Sequence, residues 1–406
     1  MMTDRFAPRP FFMLAALVLF FNRVLLPFGL QYSLLLTPFL LYFLVKAGKA
    51  KEVFGLCGVF ATWSLVHLSV IVSLPAALLS FALLCATIIF ALSVFHRLVV
   101  LDSIAALFRW LAKVNALLLI VACLVYPFEQ LRSLCWYLNE FTPNHVLIPR
   151  LKIFELEAAH YSMTIVPLVL YFIFKVLKRF QFSDFLLLCT LIASLVLSFS
   201  FGVLSCLVLT FLLLFVLRLT KIYRSFRLKW FFLAGIGSTI VVCIFLFVIF
   251  PDNPLFFRLN NVLTGVDTSG RGRTYEAFIL AQKILQSQAA SAFGIGLGQL
   301  KIVGRTIIIQ YYSYTSMPDV VRLPNSTAEF MVYYGYVGLA LRLAVQVYCF
   351  FRFRVHQDVY KMSVFLFVFV YQFTGSYIFN PMEYVLWALA FAPYPSRLTF
   401  KSFTVQ

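Results

Sequence analysis

The chain has 406 residues, of which 63% are hydrophobic and 12% charged, and its formal net charge is +18. So large an apolar fraction cannot be hidden inside a soluble protein of this size, and the composition points to an integral membrane protein. The positive charge is not a nucleic-acid signal, because it gathers at the edges of apolar segments, where membrane topology and anionic headgroups require it.

Runs near 20 apolar residues cross a bilayer as helices, and the pattern predicts about twelve. They fall near 11–30, 31–46, 53–73, 75–95, 113–131, 160–176, 184–200, 203–218, 229–250, 327–350, 361–379 and 383–395. The first lacks a small-x-small cleavage site and runs on into Gln31-Tyr32, as a retained anchor does. Lys and Arg gather in alternate connections. These hold Arg5 and Arg9, then Lys46, Lys49 and Lys51, then Arg97, Arg109 and Lys113, then Lys175, Lys178 and Arg179. The cluster Arg218, Lys221, Arg224, Arg227 and Lys229 follows, with Arg352, Arg354, Lys361, Arg397 and Lys401 near the end. The positive-inside rule then places both termini in the cytoplasm.

Between the fourth and fifth spans, the charges of 97–113 group on one side of an apolar stretch, which predicts an interfacial helix. Arg23, His67 and Arg342 fall at hydrocarbon depth, where an ionisable group is costly unless it faces a cavity or a partner. By sequence count Arg342 lies about four turns into the tenth span, well below Arg322, and it reads as a structural pair or a snorkelling side chain. Of the eight cysteines, only Cys135 lies near the external face, and no CxxC or His/Cys cluster has metal-ligand spacing, so neither a metal nor another cofactor is expected.

The organisation is therefore an all-α polytopic bundle in three parts. Residues 1–250 form about nine helices with an external segment at 129–160, residues 251–326 form a large external lobe rich in arginine, and residues 327–406 add about three helices and a cytoplasmic tail. Within the lobe, Asp267-Thr-Ser-Gly-Arg271-Gly-Arg273 supplies turn and capping residues before a surface helix over 274–288. Free N–H groups, a positive dipole end and two arginines there make an anion site plausible. Gly294-Ile-Gly-Leu-Gly298 can either place N–H groups around a phosphate or simply stop the helix. Tyr311, Tyr312 and Tyr314 can stack on sugars or build the lobe's core.

Six stretches carry a resemblance. Arg258-Leu-Asn, Ser269-Gly-Arg271, Phe293-Gly-Ile-Gly-Leu-Gly298 and Pro324-Asn-Ser-Thr-Ala-Glu-Phe-Met-Val-Tyr-Tyr-Gly335-Tyr-Val-Gly338-Leu resemble the second half of the bacterial O-antigen polymerase and ligase superfamily. Phe154-Glu-Leu-Glu157-Ala-Ala-His160-Tyr161 looks like the acidic segment that opens a middle span in Wzy-type polymerases, and Phe373-Thr-Gly-Ser-Tyr-Ile-Phe-Asn380-Pro is similar to their closing segment. Ligases usually carry a histidine immediately before the Asn-Ser pair; Pro324 stands there instead, which favours a polymerase.

The resemblance implies a GT-C-like glycosyltransferase of the bacterial inner membrane. It would join undecaprenyl-diphosphate-linked glycans, donor and acceptor, on the periplasmic face, with a flippase and a chain-length regulator as partners. Arg271, Arg273 and Arg322, with Arg258 as a further candidate, would grip the diphosphate, because a guanidinium binds two phosphate oxygens at once. Asn325 and Tyr275 would touch substrate. Glu157 and His160, three apart at the lip of the sixth span, would supply the general base, the competing reading being an interfacial polar residue or a helix cap. A ligase, a lipid-linked oligosaccharide flippase and a membrane scaffold stay open as alternatives; against a transporter stands the single external lobe, which breaks any symmetry of halves.

Overall fold

A computed structural model describes residues 8–21, 25–26, 30–31, 35–100, 104–140, 147–224, 264, 268–312, 322–376 and 378–393. The expected span at 229–250, Arg23, Arg258 and Tyr314 lie outside these residues. The helices follow the apolar runs: α1 (Pro8–Phe20), α2 (Thr37–Lys46), α3 (Ala50–Val66), α4 (Leu74–Val100) and α5 (Ile104–Val125). A short α6 (Glu129–Cys135) follows, then α7 (Ala158–Lys178), α8 (Phe182–Leu197) and α9 (Phe201–Arg224). The second half holds α10 (Thr268–Arg273), α11 (Tyr275–Ser287), α12 (Leu300–Tyr312), α13 (Ser326–Arg352), α14 (Val359–Tyr371) and α15 (Pro381–Phe391). Ala50–Ser69, Leu74–Val99, Ile104–Val125, Ala158–Lys178 and Ser326–Arg352 are long and apolar enough to cross a membrane, and several others are apolar but shorter. The protein is mainly helical and membrane-embedded.

Three expectations need correction. The first expected span is helical only to Phe20, and beyond it β1 (Leu25–Leu26) pairs antiparallel with β2 (Leu30–Gln31). The external segment 129–160 contains a second hairpin, β3 (Trp136–Glu140) with β4 (Leu147–Leu151), in the register Trp136↔Leu151 to Glu140↔Leu147. The interfacial helix over 97–113 does not form: Arg97 lies in the last turn of α4, and Arg109 and Lys113 ride on α5, whose apolar run is unbroken. Asp102 and Ser103, both good capping types, mark that boundary in the sequence.

Most helices share one core, with α7 at its centre; every residue from 161 to 172 is buried. The Tyr161 hydroxyl donates to Asn115 Oδ1 at 2.6 Å, and Asn115 Nδ2 donates to Ser194 Oγ at 3.0 Å, which fastens the start of α7 to α5 and α8. Towards the far end of α7, roughly 21 Å away by helical rise, Lys175 and Arg109 both pair with the buried Asp184, at 2.9 and 3.0 Å.

A second core joins α11, α12 and the loop 291–299 to α4 and to the opening turns of α13. The hinge of this region is Gly335, where the backbone leaves helical geometry (φ 69°, ψ −172°) and breaks α13 in two. A break at hydrocarbon depth strands polar backbone groups, which must find partners in protein. The loop supplies them: Ile295 N donates to Val332 O (2.9 Å), Gly296 N to Tyr333 O (3.1 Å), Tyr336 N to Ser291 O (3.0 Å) and Val337 N to Ala292 O (3.1 Å). The two chains lie so close that a Cβ on Gly294 would strike the Tyr333 backbone, and one on Gly335 would strike the Ala292 carbonyl. Both glycines also have positive φ, so no other residue fits. The glycine-rich segment is thus a plug for a broken helix and not a phosphate cradle. His67 belongs to the same joint, its Nε2 donating to Phe293 O at 2.7 Å.

Candidate functional site

The turn that leads into α7 is tied down by Lys152 N and Ile153 N, which donate to Cys135 O at 2.9 and 3.0 Å. Ile153 sits at φ 51°, a costly conformation for a β-branched residue and a mark of a turn held by its surroundings. Glu157 follows at the N-cap position of α7 with extended backbone, exposed, and its side chain makes no capping bond. That removes the helix-cap reading of this carboxylate. His160 lies one turn inside, half-buried, and the charges of Glu157, Arg273 and Arg322 all bear on its ring. Glu157, Arg273 and Arg322, from three stretches of chain, thus lie within electrostatic reach of His160.

Arg273 arrives through the lobe and is fixed by its backbone: Asn325 Nδ2 donates to Arg273 O at 2.8 Å and to Phe373 O at 2.6 Å. Asn325 is fully buried and also caps α13, accepting from Ala328 N at 2.9 Å. Its side chain is thus spent on the fold. The next two N–H groups are taken as well, Ser326 N by Gly375 O (3.1 Å) and Thr327 N by Gln372 O (3.1 Å). The start of α13 therefore offers no vacant N–H groups to an anion, and the Asn-Ser and Phe373–Asn380 segments lie in direct contact. Arg322 stands exposed just before this helix, and Lys301 shares its surroundings: burial first, then the Arg322 charge, lowers the Lys301 pKa, while Glu329 opposes the shift.

Arg271 takes a different course. The stretch expected to be a capped turn is helical as α10, and the Thr274 hydroxyl turns back to Gly270 O at 2.9 Å instead of capping α11. The first turn of α11 carries its own carboxylate, Glu276, buried against Arg271 (3.0 Å) and the Tyr312 hydroxyl (3.4 Å). An acidic side chain already answers the helix dipole there, so the expected anion site at this N-terminus is filled from within. Tyr275 is exposed, with the Arg271 guanidinium 5.7 Å from its ring centre. Tyr311 lies under the Lys283 ammonium, so it and Tyr312 belong to the lobe's own packing.

Below the arginines lies a buried acidic and amide layer that the sequence reading missed. Glu329 accepts from Ile378 N (2.9 Å) and from the Tyr333 hydroxyl (3.3 Å), within the fields of Arg322 and Glu383. Glu383 Oε1 pairs with Arg342 at 2.6 Å and takes Ser326 Oγ at 3.2 Å, while Oε2 is buried with no hydrogen-bond partner among the described residues. Arg342 Nη2 also reaches Ser326 Oγ and Gln372 Oε1, both at 3.0 Å. Arg342 and Ser326 are 16 positions apart, which an unbroken helix would turn into roughly 24 Å of separation. The break at Gly335 brings them together, so Arg342 is not the deep, remote residue that its position in the sequence implied. Carboxylates at the openings of the tenth and twelfth spans were the available signal, by the same intramembrane argument that singled out Arg342.

The arrangement is graded. Cationic Arg273 and Arg322 stand near a histidine and a carboxylate, and beneath them lies a layer of two carboxylates, of which Glu383 pairs with Arg342 and Glu329 accepts from Ile378 N and Tyr333. Among the described residues no group of three or more His, Cys, Asp or Glu is placed to hold a metal ion. No family model matches the chain, and no curated protein matches it in sequence.

Proposed function

We propose that this protein is a Wzy-type polymerase, an inner-membrane glycosyltransferase that joins undecaprenyl-diphosphate-linked repeat units on the periplasmic face. In this reading about twelve spans place both termini in the cytoplasm and the arginine lobe outside. The observation that carries the proposal is that Glu157, Arg273 and Arg322 lie within electrostatic reach of His160.

The chemistry is a displacement at the anomeric carbon. The acceptor hydroxyl of a single lipid-linked repeat attacks the first sugar of the growing glycan, the bond to the diphosphate breaks, and undecaprenyl diphosphate leaves with the electron pair. A diphosphate is a good leaving group once its charge is held, and Arg273 and Arg322 are preorganised to hold it, each guanidinium engaging two oxygens. Arg271, fixed by Glu276, meets the incoming anion further out, Arg258 remains a candidate diphosphate ligand, and Tyr275 offers a sugar-stacking face. His160 takes the hydroxyl proton, and Glu157 steadies the resulting imidazolium. A flippase supplies the substrate, and a chain-length regulator ends growth.

The test is the surface-polysaccharide profile of a deletion strain on a gel, complemented with the wild type or with Arg322→Ala. A ladder that collapses to one repeat, restored by the wild type alone, is expected. Loss of even the single-repeat band with lipid-linked repeats trapped inside the cell would identify a transporter. Full-length lipid-linked polymer left unattached would identify a ligase.

A further inference from the structure

On the inner side of the bundle an apolar cavity of about 240 Å³ lies among α1, α2, α4, α5, α7 and α15. Close-packed interiors rarely keep a void this large, and a void with hydrocarbon walls stays free of water. Its wall residues are apolar except for Ser93, Thr164 and Arg97. Both hydroxyls are already engaged, Ser93 Oγ donating to Ile89 O at 2.8 Å and Thr164 Oγ1 to Tyr161 O at 2.7 Å. Among the described residues Arg97 is therefore the sole charged group on the wall, and it stands in the last turn of α4.

The Arg97 guanidinium lies 3.7 Å from the centre of the Phe43 ring, and nearby Lys49 is already paired with Glu52 at 2.6 Å, so Arg97 supplies the positive charge at this end of the cavity. Phe39, 57% exposed on the outer face of α2, forms part of the wall and gives the cavity a side that meets the bilayer. An occupant that fits must be hydrocarbon along its length and anionic at one end. The cavity also has a cation of its own, separate from Arg273 and Arg322 at the candidate site.

We propose that the cavity seats one acyl chain of an anionic phospholipid from the leaflet at the basic end, with the phosphate on Arg97. Guanidinium suits this task because it stays charged near lipid and binds phosphate oxygens in pairs. The phospholipid acts as a structural ligand that wedges α1 and α2 against α4.

The test is native mass spectrometry of the full chain released from nanodiscs containing phosphatidylglycerol or phosphatidylcholine with the same acyl chains. The wild type is expected to keep one phosphatidylglycerol. Arg97→Gln is expected to lower that retention about tenfold and to remove the preference over phosphatidylcholine, as loss of a bidentate phosphate contact does. Ala15→Phe, which fills the cavity, is expected to exclude both lipids while its melting temperature in lipid-free micelles stays at or above that of the wild type. Equal retention by the wild type and Arg97→Gln, no retained lipid on the wild type, or retention of a polyprenyl phosphate in place of phospholipid would each overturn the proposal. Chain growth does not enter the readout, so this site and the proposed polymerase activity stand or fall separately.

Discussion

Asp184 and Glu383 are both buried carboxylates held by cations, and they differ in what is left over. Asp184 faces two basic side chains, one on each oxygen, and joins α5, α7 and α8 at one end of the bundle. Glu383 commits Oε1 to Arg342 and Ser326 and keeps Oε2 buried and unpartnered among the described residues, below the arginines at the other end. Burying a charge is costly unless it is fully compensated. The first site meets that condition and is architecture; the second departs from it where the candidate chemistry lies. Unspent polar capacity in a buried place is a better pointer to function than the number of charges.

The comparison can be broken at its strongest point. Glu383→Ala strands the Arg342 guanidinium, 11% exposed, and is expected to destabilise the protein by about 3–5 kcal/mol. Thermal unfolding in micelles measures this, and Glu383→Gln, which keeps an acceptor for Arg342, should recover part of the loss. Next in size, Arg273→Ala and Arg322→Ala should each slow chain growth by about 10²–10³-fold with little change in melting, the usual cost of removing one preorganised charge stabiliser. Normal ladders from both variants would remove the two arginines from the mechanism.

Asn325→Ala sharpens the boundary between fold and site. It removes an N-cap and two donors to buried carbonyls, and a loss of about 1–2 kcal/mol is expected, with a further drop in activity because Arg273 loses its anchor. If activity falls with stability intact, Asn325 touches substrate directly and its structural role is secondary. The smallest effect should come from Arg109→Met: Asp184 keeps Lys175, and Arg109 is 44% exposed, so a change of at most about 1 kcal/mol is expected. Ladder length should not move. Damage equal to that of Glu383→Ala would erase the distinction between the two carboxylates.

What the sequence disclosed follows from which interactions are local. Apolar runs report helices because burial has a length and a period, so α4 and α7 were readable to within about five residues, whereas the span expected at 113–131 missed the first nine residues of α5, Ile104 to Ala112. Helical spacing predicted a shared face for Glu157 and His160, but Glu157 has extended backbone at the N-cap, so only His160 lies within α7. The meeting of both with Arg273 and Arg322 was suggested only by resemblance, since contacts between chain segments this distant leave no periodic trace. Gly335 shows the limit most clearly. Its apolar surroundings read as one continuous span, and the break is stabilised by carbonyls and N–H groups of a loop some 40 positions away. Arg342 was placed too far from Ser326 for that reason, while its reading as a structural pair matches its ion pair with Glu383. The turn-like composition of Asp267–Arg273 misled in the opposite direction, because contact with the lobe overrode a weak local preference.

The plugged break has a bearing on how the protein is made. During synthesis the loop 291–299 emerges before Ser326–Arg352, so the plug has left the ribosome before the helix that needs it. Until the two dock, four backbone hydrogen bonds at Gly335 are unmade in lipid, a state that invites either a straight helix or proteolysis. Gly294→Val, which blocks docking, should therefore lower the amount of mature protein in the membrane far more than its messenger level. Quantitative immunoblotting against transcript abundance measures that difference, and equal ratios for variant and wild type would show that the break forms without its plug.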